Sequence, residues 1–110
     1  MAKVFGIHEI ELQPGVTPEE FEQFVTDTIS QWPQLEGYAL SVAKGDRGTH
    51  AGKYIMVFEI ESTEARDRYF PAPDVLSEEA QRASEGSAAM FEKMDSLCTS
   101  TFTDYVVIAK

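Results

Sequence analysis

Cysteine is almost missing from these 110 residues: Cys98 stands alone. No disulfide can form within the chain, and a reducing cytoplasm is the expected compartment. A lone thiol beside a helix end reads as core filler. Basic residues are scarce as well, 9 Lys and Arg against 19 Asp and Glu, for a net charge of −10. A field of that sign repels phosphate backbones and anionic bilayers, so neither nucleic acid nor a membrane surface is an expected partner. No apolar run approaches the ~20 residues of a membrane-crossing helix, and Met1-Ala-Lys-Val-Phe5 enters a strand without a signal-peptide pattern. The chain has two histidines, His8 and His50, and neither lies in the short ligand spacings that hold zinc or iron. No metal and no cofactor is therefore expected. The glycines do not follow a phosphate-loop spacing, and no serine, cysteine or lysine carries the flanking pattern of a nucleophile.

What the chain does have is a hydrophobic fraction of 43 %, enough for one packed core over residues 1–110. Lys3 to Leu12 alternates so that Val4, His8, Ile10 and Leu12 share a strand face. Gln13-Pro-Gly-Val-Thr-Pro18 turns into a helix, with Thr17 as N-cap, Pro18 in the first turn and Glu19 and Glu20 on its positive end. Phe21, Phe24, Val25, Ile29 and Trp32 recur at helical spacing until Pro33. A second strand is expected over Glu36–Ala43, a long hairpin over Gly45–Gly52 and a third strand over Lys53–Glu61. A short helix over Thr63–Phe70 breaks at Pro71-Ala-Pro73. The next helix, capped by Asp74 or Ser77, carries the stripe Leu76, Ala80, Ala83, Ser87, Met90, Met94, Leu97, with Phe91 beside it. Gly86 interrupts it at a cost of about 1 kcal/mol in propensity, for which a close approach to the sheet or a ligand is the expected reason. A fourth strand is expected over Thr101–Ala109.

The order β-α-β-β-α-β suits a ferredoxin-like α+β fold, four antiparallel strands with the helices on one face. Val4, His8, Ile10 and Leu12 with Tyr54, Met56, Phe58 and Ile60 make the bulkier apolar face, expected under the helices. Phe5, Ile7, Ile55, Val57, Tyr105 and Val107 then fall on the other face. Uncovered, they would form an apolar patch that monomers rarely tolerate, so a homodimer is expected from the faces alone.

The run Ile10-Glu-Leu-Gln-Pro-Gly-Val-Thr-Pro-Glu-Glu-Phe-Glu-Gln-Phe24, with Leu35-Glu-Gly-Tyr38 opening the second strand, resembles the dimeric α+β barrel superfamily. That group includes antibiotic-biosynthesis-type monooxygenases, polyketide cyclases, muconolactone isomerases, haem-degrading oxygenases and stress-responsive barrel proteins. The resemblance implies two sheets back to back in a dimer and, in the enzymes, a pocket between each sheet and its helices. It does not imply one activity. Haem-degrading members use a second-helix histidine as iron ligand, and residues 75–98 contain none.

His8 is the candidate catalytic residue, because imidazole titrates near neutrality and serves as base or acid. The alternative is a buried imidazole hydrogen-bonded to a tyrosine or carboxylate. Trp32, Tyr54, Phe58 and Met90 are candidate binding residues for a small apolar or aromatic molecule. Arg68, beside Arg66 and ahead of Tyr69-Phe70-Pro71, is a candidate to orient an anionic aromatic substrate, while Arg66 can pair with Glu64 or Asp67. The hairpin Asp46–His50 is either a lid or ordinary surface. Glu9, Glu11, Glu59 and Glu61 form either a cation site or a solvated barrel end. The two function classes are cofactor-free proton transfer or oxygenation on an aromatic substrate, and a non-catalytic ligand-binding or stress-responsive barrel.

Overall fold

The computed structural model describes residues 2–110. Its strands are β1 (Val4–Leu12), β2 (Tyr38–Lys44), β3 (Tyr54–Ile60) and β4 (Cys98–Val106). Its helices are α1 (Pro18–Thr28), prolonged by a 3₁₀ turn over Ile29–Gln31, then α2 (Thr63–Tyr69), α3 (Glu78–Ala83) and α4 (Ala88–Leu97). The strands form one antiparallel sheet in the order β2-β3-β1-β4. This is the ferredoxin-like α+β arrangement.

Local chemistry sets the helix ends. The Thr17 side chain accepts the Glu20 N–H at 3.1 Å, and Ser62 and Ser77 cap α2 and α3 in the same way. The expected long helix after Pro73 is in fact two. Gly86 adopts φ +86° between α3 and α4, a left-handed conformation that glycine takes without steric cost. A Cβ there would meet nothing within 4 Å, so the glycine serves the turn and not a close approach. Within α4, Met94 and Leu97 of the expected stripe are buried and Met90 is half-buried. β4 also begins three residues early, because α4 ends at Leu97 and Cys98 pairs at once with Leu12.

Register then fixes the faces. Val4, Gly6, His8 and Ile10 lie opposite Ile60, Phe58, Met56 and Tyr54 on β3. Ile10, Tyr54 and Met56 join Phe21 of α1 and Met94, Leu97 and Cys98 in the core cluster. Cys98 is buried, and burial raises its thiol above the ordinary value, as expected of filler. Phe5, Ile7, Ile55, Val57 and Val107 are half-buried and Tyr105 is 57 % exposed. None of these six belongs to the core cluster. Among the described residues, no helix is long and apolar enough to cross a membrane.

Candidate functional site

The helices cover the sheet unevenly, and the gap is a cleft. Its volume is about 1680 Å³, above the roughly 300–1,000 Å³ of an ordinary small-molecule site. The sheet supplies the floor through Gly6 and His8 of β1, Met56 and Phe58 of β3, Leu40 of β2, and Phe102 and Asp104 of β4. Trp32, Phe91 and Met94 line the helix wall, and the loop from Phe70 to Asp74 lines the rim.

Gly6 explains the depth of the floor. Its cross-strand neighbours are Phe58 and Asp104, and a Cβ would come within 3.1 Å of Asp104 Oδ1. The missing side chain leaves space for the carboxylate. A glycine inside a strand is a recognisable signal of such an approach, and so is an aspartate at Asp104, whose even-numbered neighbours Phe102 and Val106 are apolar. Neither was singled out from the sequence.

His8 sits between two rings. Phe58 lies 5.6 Å away and Phe102 5.1 Å away, centroid to centroid. Among the described residues, no side chain or loop backbone group hydrogen-bonds to the imidazole. Burial lowers its pKa below the ordinary 6.5, while Asp104 and then Asp74 pull it back upward. Burial in turn raises the Asp104 carboxyl, against the lowering influence of Arg66 and His8. The imidazole is thus kept neutral before it accepts a proton, and two carboxylates stand by to stabilise the imidazolium afterwards.

That arrangement has a consequence for stability. Because His8 binds its proton more weakly when folded, its contribution is fully present above about pH 6.5. It is lost as pH falls through the lower folded midpoint. Thermal melts of the wild type should therefore decline more steeply than those of His8→Gln on acidification from about pH 7.5 to 5.5. Parallel declines would contradict the burial of His8.

The sequence candidates separate. His8, Trp32 and Phe58 line the cleft together, with Trp32 edge-on to Phe91 at 5.2 Å. Tyr54 does not line it: it is 5 % exposed in the core, 4.8 Å from the Phe21 ring, and its hydroxyl donates to Glu22. Met90 does not line the cleft; the adjacent Phe91 does. Arg68 turns outward, donating to Glu79 at 2.9 Å and Glu36 at 3.2 Å. Two residues along a helix face nearly opposite ways, so Arg66 enters the cleft instead. Arg66 Nε donates to Asp67 at 3.0 Å, and Nη1 lies 3.7 Å from Asp104 Oδ2. Tyr38, which also lines the cleft, donates to the Arg66 carbonyl at 3.3 Å, and burial pushes its phenol pKa well up.

The hairpin residues Asp46 to His50 do not line the cleft. Glu59 pairs with Lys3 at 3.4 Å and lies opposite Phe5, four residues along β1 from Glu9. Among the described residues, no group of three or more His, Cys, Asp or Glu side chains is placed to hold a metal ion.

No protein-family model matches the sequence, and no curated protein matches it. Solved structures do. The chain is similar to SnoaB, a cofactor-independent oxygenase from Streptomyces nogalater, at 14 % identity, covering 100 % of this chain and 97 % of that one, with a TM-score of 0.64. It is similar to At3g17210 from Arabidopsis thaliana at 23 % identity, with 97 % of each chain covered and a TM-score of 0.60. It is also similar to the heme-degrader MhuD from Mycobacterium tuberculosis, solved with two hemes in its active site, at 19 % identity, 97 % coverage of each and a TM-score of 0.55. The likeness is one of fold: these structures share the α+β arrangement of this chain over nearly its whole length. The imidazole that lines the cleft, His8, is on the sheet floor. The helix wall offers Phe91, Met94 and Asp95 but no imidazole.

Proposed function

We propose that this chain is a homodimeric barrel protein that binds a small apolar or aromatic molecule in the cleft and moves a proton on it without a cofactor. His8 is the base. The observation that carries this reading is the placement of His8 on the floor of an open aromatic cleft, between the Phe58 and Phe102 rings and with no side-chain hydrogen-bond partner among the described residues. The proton passes from an acidic C–H or O–H of the ligand to the imidazole. The imidazolium is held by Asp104, and Tyr38, Trp32 and Phe58 hold the ligand's rings. Isomerisation, cyclisation and oxygenation of an electron-rich phenol all begin with that step, and SnoaB supports the last of them by its fold. A cytoplasmic location accords with the single free thiol.

The test needs no native substrate. In D₂O, 2-tetralone carries an acidic C–H on an apolar aromatic frame, and a correctly placed base exchanges it for deuterium. Wild-type protein is expected to accelerate exchange, and His8→Gln to lose on the order of 10²-fold or more of that acceleration. Binding of 2-tetralone without exchange would favour the non-catalytic barrel. Equal exchange by the variant would remove His8 as base.

A further inference from the structure

We propose, resting on the ligand-binding reading above, that the cleft selects an aromatic molecule bearing a protonated amine and rejects the corresponding carboxylate, because it combines aromatic walls with carboxylates from two separate elements that make no ion pair among the described residues. Six of the titratable side chains lining it are His8, Arg66, Asp67, Asp74, Asp95 and Asp104 besides the phenol of Tyr38, and no lysine is among them. Arg66 is the one cation of fixed charge, and its guanidinium is already engaged by Asp67 at 3.0 Å and by Asp104 at 3.7 Å. A cation matched in this way has little left for an incoming anion.

Asp74 and Asp95 are different. Neither makes an ion pair among the described residues. One stands on the loop between α2 and α3 and the other on α4, and both line the cleft. The same cleft is lined by the rings of Trp32, Tyr38, Phe58, Phe70, Phe91 and Phe102. A ring face attracts a cation and the attraction grows as water is excluded, and the chain's net charge of −10 steers cations inward. An anionic ligand faces the opposite field with no free partner. The expectation that an arginine orients an anionic substrate thus gives way to selection for positive charge.

The test compares three ligands of one shape: biphenyl-4-methylammonium, biphenyl-4-methanol and biphenyl-4-carboxylate. Trp32 is the only tryptophan and lines the cleft, so its emission reports binding at this site. In about 20 mM salt the ammonium should bind at least about 10-fold tighter than the carboxylate, with the alcohol between them. The gap should shrink several-fold in about 500 mM salt, where surface charge is screened. Asp74→Asn with Asp95→Asn should shrink it likewise while leaving the alcohol's affinity in place. Asp74 has φ +61°, and asparagine tolerates that conformation as aspartate does, so the variant keeps the turn. The carboxylate binding as tightly as the ammonium, or a gap indifferent to salt and to the double variant, would overturn the inference alone. Failure of all three to perturb Trp32 at millimolar concentration would overturn it together with the ligand-binding reading.

Discussion

Replacing Val57 with aspartate is expected to convert a dimer into monomers or unfolded chain. Val57 lies opposite Ile7 at the centre of the sheet face turned away from the helices, with Phe5, Ile55 and Tyr105 on the same side. A second copy covering that face would bury the new carboxylate without a partner, which costs on the order of 3–5 kcal/mol. Light scattering on the wild type should report about twice the chain mass of 12.3 kDa, and on Val57→Asp the single mass or aggregated material. A wild-type monomer would remove the dimer. A dimeric Val57→Asp would move the interface elsewhere.

Phe21→Ala should be as damaging from the opposite face. The ring is fully buried, tilted against Tyr54 at 4.8 Å, and central to the cluster of Ile10, Met56, Met94 and Leu97. Truncating a phenylalanine so enclosed costs about 3–5 kcal/mol. For a domain of this size that corresponds to a melting point lower by roughly 10–20 °C. Phe24→Ala, at a half-buried position of the same helix, should lose clearly less. Equal losses would show that α1 docks by another face.

These two positions were legible in the sequence because period 2 and period 3.6 are local. Val4, His8 and Ile10 on one side and Phe5 and Ile7 on the other follow from alternation alone, and Phe21 follows from the stripe that ends at Trp32. Thr17 and Ser77 as caps were equally local. Longer-range features were not legible. Asp104 joins the site only because β4 pairs with β1 in a register that sets Gly6 opposite it, and α4 decides where that strand starts. Arg66 and Arg68 are indistinguishable by composition, and only the docking of α2 on the sheet chooses between them. Tyr54 shares a strand face with Phe58, yet that face is divided along the strands between packed core at the Ile10–Tyr54 end, beneath α1, and open cleft at the Gly6–Phe58 end. Alternation names the face but not the division. Gly86 is visible in the sequence as a cost within a helix, but that it ends one helix and starts another is set by its left-handed backbone.

The account depends most on His8 facing a ligand site from a desolvated floor. An NMR titration of the histidine ring signals in the full chain, with and without biphenyl-4-methanol, tests this directly. The account predicts a His8 midpoint below the ordinary 6.5, driven lower by the neutral ligand as it excludes further water. Addition of that ligand should leave the ring signals of His50, on the exposed hairpin, where they were. A His8 midpoint at the ordinary value that ignores the ligand would contradict both the cleft and the base.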